Sequence, residues 1–150
     1  MLTIHAADEV RHVWDDDPAP IEGGAVAVQG TRVAGVGPLA ELERRFPGAR
    51  VRRWPGVLGP ARLHEGPLPD APSPRERVHA VLKLGAVAVL AEHAGSPELR
   101  AAAERGGVVV LPLARPAAIT ETGRADLAVF DADGACLATV CAGRLVHRRR

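Results

Sequence analysis

Residues 24–37 read GAVAVQGTRVAGVG, two short apolar runs around Gln29, Gly30 and Thr31. A strand, a tight glycine-containing reversal and a second strand make this a β-hairpin. Upstream, residues 2–6 alternate weakly and residues 9–14 form a second short extended piece, before the Asp/Pro-rich turn at 15–20. Downstream, Leu39, Leu42 and Phe46 lie at helical spacing, so residues 38–46 form a helix that opens on Pro38 and ends at Pro47 and Gly48. Residues 49–54 follow as a strand. The stretch from 55 to 74 is rich in Pro and Gly and reads as irregular.

The period then changes. Residues 74–84 are helical, with Val78, Val81 and Leu82 on one face and Gly85 as the stop. Residues 86–90 are a continuous apolar run, the mark of a strand buried on both faces. Ser96, Pro97 and Glu98 supply a cap, a first-turn proline and an acidic first turn for a helix over 99–105. Gly106 and Gly107 close it, and residues 108–113 form another buried strand. Parallel strands joined by right-handed crossovers are expected here. The last third returns to strands at 126–131, 137–142 and 144–147, with turns at 132–134 and Gly143.

Composition narrows the function classes. The chain has 150 residues, enough for one compact domain, and only two Trp, two Phe and no Tyr, so its core is built from Val, Leu, Ala and Ile. Net charge is +1, which provides no global field to recruit nucleic acid. The basic residues are arginine except for Lys83, a high-GC codon signature, and residues 148–150 read as a solvated arginine tail. The start of the chain lacks the pattern of a secretory signal, and no run nears the roughly 20 apolar residues of a membrane span. Cys136 and Cys141, five apart on one strand, should point to opposite faces and stay unpaired, which suits a reducing cytoplasm. The acidic triplet at 15–17 lacks the glycine and the later glutamate of a calcium loop and reads as a solvated turn.

Taken in order, three segments resemble the amidohydrolase superfamily. Residues 24–37 resemble its opening hairpin; residues 123–131, GRADLAVFD, resemble a stretch near its C-terminus; residues 139–147, TVCAGRLVH, resemble its final hairpin. Within that superfamily the imidazolonepropionase and aminodeoxyfutalosine deaminase group is the nearest in flavour. The resemblance covers residues 1–66 and 119–147. It implies a composite β-sandwich built from both ends of the chain, beside a (β/α)8 barrel that holds a metal. It also implies that Asp126 is a fold residue whose carboxylate caps backbone N–H groups.

The departures matter more. Family members carry a His-x-His pair after the composite strands, on the way into the first barrel strand, and alignment on Pro60 places Gly66 and Leu68 there. Neither side chain can ligate a metal. A barrel takes roughly 250 residues, whereas only about fifty lie between Pro67 and Ala118. The expected architecture is therefore α+β: residues 1–66 and 119–150 as the composite β-sandwich, and residues 67–118 as a truncated α/β segment in place of the barrel.

Two clusters are the candidates for residual chemistry. His64 and Glu65 sit where the family's site begins, and a histidine with a neighbouring carboxylate supplies a ligand or base near neutral pH. Glu92 and His93 follow the apolar strand 86–90, at the carboxyl end where α/β folds place their sites. The leading expectation is a non-catalytic protein without catalytic, cofactor-binding or metal-binding residues. It would partner or regulate a full-length amidohydrolase, pair with itself as a homodimer, or bind a small molecule, without nucleic acid or membrane. The alternative is a reduced hydrolase of non-peptide C–N bonds using His64, Glu65 and His93, with Glu92, around zinc or iron.

Overall fold

A computed structural model describes residues 2–15 and 18–149. Two of the three aspartates in the acidic turn, and the last arginine of the tail, lie outside the described residues. The chain runs β1 (Leu2–Val10), β2 (Ile21–Glu22), β3 (Gly24–Gln29), β4 (Arg32–Pro38), α1 (Leu39–Arg45), β5 (Arg50–Pro60) and β6 (Arg62–His64). It continues through α2 (Pro74–Lys83), β7 (Ala86–Leu90), a 3-10 turn (Ala91–His93), α3 (Pro97–Gly106), β8 (Val109–Leu111), β9 (Leu127–Phe130), β10 (Cys136–Cys141) and β11 (Arg144–Arg148).

Both ends of the chain build one eight-stranded sheet in the order β11-β10-β9-β5-β1-β3-β4, with β2 on β1. The sheet curls back until its two terminal hairpins meet. Val33 N–H donates to Gly123 O at 2.9 Å and Ala125 N–H to Thr31 O at 2.8 Å. Between the layers so formed lie Val10, Val26, Val28 and Val33 from one side and Leu127, Val129, Ala138 and Val140 from the other. The result is sandwich-like, as expected, and among the described residues the sheets are open and form no barrel.

Helix α1 packs on the outer face. Leu42, 1% exposed, fills a small core with Ile4, Ala6, Ala25 and Ala27. Burying a leucine this completely contributes roughly 2 kcal/mol. A third core lies between β9–β10 and the middle segment, where Val78, Val81 and Leu82 of α2 meet Ala128, Phe130 and Cys141. Thr139 is fully buried there, and its hydroxyl donates to Leu82 O at 2.7 Å, tying the end of α2 to β10. The Arg62 guanidinium stacks over Trp14 and Phe130, 4.6 and 4.1 Å from the ring centroids, at the junction of the two sheets.

The structure corrects several expectations. Strand β5 does not stop at Trp54; it runs on through Pro55 and Gly56 to Pro60. Its ladder with β1 skips a register there, between Ala7↔Trp54 and Glu9↔Val57. This bulge takes up the proline, whose missing N–H is not needed, while Gly56 at φ +88° donates its N–H to the Asp8 carboxylate at 2.9 Å. Strand β6 joins β7 and β8 in a separate three-stranded parallel sheet instead of the composite strands. Among the described residues no helix is long and apolar enough to cross a membrane.

The two cysteines are also corrected. In β10 the register against β9 shifts between Cys136↔Phe130 and Ala138↔Val129, so Leu137 is an extra residue. The bulge inverts the alternation. Cys136 and Cys141 therefore pack on the same helix-facing core, while Leu137, Ala138 and Val140 face the other layer. Both remain free thiols.

Candidate functional site

The second sheet places the candidate residues. β6, β7 and β8 are parallel neighbours, registered His64↔Val89 and Leu90↔Leu111. Each crossover is built by local chemistry. The Ser73 hydroxyl accepts from Glu76 N–H at 3.2 Å at the start of α2, and the Ser96 hydroxyl from Leu99 N–H at 3.1 Å at the start of α3. Gly107, at φ +78°, ends α3 in the left-handed conformation. One face of the sheet is buried on the helices through Val87 and Val89, whereas Ala88, Leu90 and Val109 on the other face are only half-buried. The apolar run 86–90 is thus covered fully on one side only; on the other, residues 115–118 line a cleft of about 200 Å³ together with Ala88 and Val109.

His64 closes β6, and its half-buried ring is turned into its own loop. Nε2 donates to the Pro67 carbonyl at 2.8 Å. Glu65 is exposed beside it. Glu92 and His93 stand in the 3-10 turn after β7 and pair with each other, His93 Nε2 lying 3.7 Å from Glu92 Oε1, with the Glu92 side chain 72% exposed. The structure therefore brings His64 and the 92–93 pair to one sheet edge but does not gather them. Among the described residues no three His, Cys, Asp or Glu side chains are placed to share a metal ion.

Gly66 and Leu68 are the two positions that the resemblance sets against a His-x-His pair. Gly66 faces open space, and Leu68 is 4% exposed within the core formed with Val78, Val81 and Leu82. A hydrocarbon side chain held there offers no lone pair.

Asp126 performs the structural role expected of it. Its Oδ1 accepts from Ala142 N–H at 2.9 Å and from Arg124 Nε at 2.9 Å. Arg124 in turn donates to Gly107 O and to Cys141 Sγ, so the C-terminal hairpin is locked to the end of α3.

Residues 24–49 match the bacterial imidazolonepropionase-like composite domain. The fold is similar to that of several solved deaminases and hydrolases. E. coli guanine deaminase superposes at TM-score 0.56 and 17% identity, over 73% of this chain and 35% of that one. A Xanthomonas campestris adenosine deaminase with bound zinc gives 0.56 and 17%, over 73% and 33%. A. niger ochratoxinase gives 0.53 and 19%, over 73% and 30%. The chain spans about a third of the length of these structures. No curated protein matches it.

One constellation escaped the sequence reading. A cavity of about 700 Å³ between α2, α3 and β11 carries Arg75, Arg105 and Arg144. These come from three elements distant along the chain, and only the tertiary fold collects them.

Proposed function

We propose that this composite-domain protein is non-catalytic and works by binding, as the partner or regulator of a full-length amidohydrolase. The observation that carries the reading is the donor set at the carboxyl edge of the small sheet. Gly66 and a core-buried Leu68 stand where the resemblance puts the metal-binding histidines, and His64 is committed to Pro67 O. The half-buried row Ala88, Leu90 and Val109, next to the unpaired edge of β8, supports a protein partner, since an apolar strand edge invites pairing. A second copy of the chain is the other occupant this surface suits. The free thiols favour a reducing cytoplasm.

A reduced hydrolase of C–N bonds is the second reading. Its support is the parallel β6–β7 register, which puts His64, Glu65, Glu92 and His93 on one edge. A turnover assay separates the two, reading ammonia released from guanine and adenosine and, for imidazolonepropionate, the loss of ring absorbance on ring opening. The purified chain, with zinc or iron(II) added, is offered guanine, adenosine and imidazolonepropionate, alone and with a full-length amidohydrolase from the same cells. The binding reading expects no turnover by the chain alone and altered turnover by its partner. Turnover by the chain alone that disappears in His64→Ala would establish the hydrolase instead.

A further inference from the structure

We propose that the groove between α2, α3 and β11 is a binding site for a small amphipathic anion: an apolar body carrying one carboxylate or phosphate head. The groove lies apart from the carboxyl edge of the small sheet, and the proposal holds whether or not that edge is catalytic.

The volume, about 700 Å³, is in the range of small-molecule sites. The floor is apolar. Val78, Leu82 and Ala102 lie there at 2%, 4% and 4% exposure, with half-buried Leu145 and Val146 from β11. The rim is cationic. Arg75 rises from α2, Arg105 from the last turn of α3 and Arg144 from the start of β11.

None of these three guanidinium groups has an ion pair or a hydrogen bond among the described residues. The contrast with other arginines is direct. Arg77 donates to Pro69 O and Leu68 O, Arg100 to Ala94 O, and Arg124 to Asp126. Glu76, the one carboxylate lining the groove, accepts from the Ser73 hydroxyl at 3.2 Å instead of pairing with the arginines. His79 adds a further donor on the same rim.

Three like charges around one apolar floor repel one another, and an anion between them relieves that repulsion. The arginine fork matches both carboxylate and phosphate oxygens. An apolar floor rejects a fully hydrated ion such as free phosphate but rewards an aliphatic or aromatic body at about 25 cal/mol per Å² buried. Floor and rim together select a molecule with both parts.

Calorimetric titration of the full chain at pH 7.5 and low salt tests this with four probes: octanoate, octyl phosphate, octanol and inorganic phosphate. At least one of the two amphipathic anions should bind with a Kd below about 1 mM, and octanol and inorganic phosphate at least about tenfold more weakly. Which of octanoate and octyl phosphate binds more tightly identifies the head group. The doubly substituted Arg105→Ala, Arg144→Ala protein should lose about tenfold in affinity with an unchanged urea midpoint, because both side chains are exposed. Arg53→Ala, Arg115→Ala, which removes the same charge elsewhere, should bind as the parent does. Octanol binding as tightly as the anions, equal loss in both double variants, or no binding by either anion would overturn the proposal.

Discussion

Gly143 stacks on the carbonyl of Gly30, so that a β-carbon added at Gly143 would overlap the Gly30 oxygen and crowd Thr31 Cα at 3.1 Å. This is where the two ends of the chain meet: the turn of the C-terminal hairpin rests on the turn of the N-terminal one. Gly143 N–H donates to Ala125 O at 2.9 Å, and Ala125 N–H to Thr31 O at 2.8 Å. Gly143→Ala combines that clash with a backbone at φ +82° and should cost about 3 kcal/mol. Gly30→Ala, at φ +60° with no atom within 4 Å of the added carbon, should cost about 1 kcal/mol. Urea unfolding of the two variants measures the difference, and equal losses would mean that the hairpin contact does not close the sheet.

Asp126 is the second lock. Asp126→Ala leaves Ala142 N–H without its acceptor and Arg124 without its carboxylate, and should lower stability by about 2–3 kcal/mol. Asp126→Asn keeps one acceptor oxygen and should lose about 1 kcal/mol. The same urea titration reads both.

His5 gives the protein a pH dependence. Burial, with Arg52 adding a smaller repulsion, pushes its pKa down to about 4, and Trp54 Nε1 donates to its Nδ1 at 3.2 Å. The unfolded chain holds this proton more tightly than the folded one. The stabilisation is therefore full above the ordinary value near 6.5 and is lost as pH falls toward 4. Between pH 7 and pH 5 the loss should be roughly 2 kcal/mol. In His5→Asn, which keeps an acceptor for Trp54 but does not titrate, most of that slope should vanish. An unchanged slope would place the titration elsewhere.

The thiols report the β10 bulge. Burial pushes both the Cys136 and the Cys141 thiol above the usual range. A disulfide reagent should therefore label Cys141 in the folded protein at least about a hundredfold more slowly than in urea. Prompt labelling of Cys141 in the native state would mean that this thiol is not on the helix-facing core.

Much of this architecture is legible in the sequence, because short-range chemistry carries it. Gly30 marks the first hairpin, Ser96 and Pro97 open α3, Gly107 ends it, and Asp126 signals the C-terminal lock. Irregularities that the ladder absorbs were not legible. The bulge at Pro55–Gly56 depends on Asp8, which is far along the chain, and the extra Leu137 changes which way Cys136 points without leaving a trace in composition. At the candidate site, the place of Glu92 and His93 after β7 followed from the apolar run 86–90. That of His64 did not, because β6 lies in a stretch whose Pro and Gly content reads as irregular. The separate partners of His64 and His93, Pro67 O and Glu92, are set by loop geometry that residue spacing does not encode. The arginine-rimmed groove was invisible for a related reason: Arg144 belongs to it only because β11 packs beside α2 and α3.

The metal content of the purified chain tests the central claim most directly. Elemental analysis after growth with zinc and iron supplied, followed by desalting, should find far less than one transition-metal ion per chain, with no difference between the parent protein and His64→Ala. One equivalent of zinc or iron that survives desalting and is lost in His64→Ala would contradict the account.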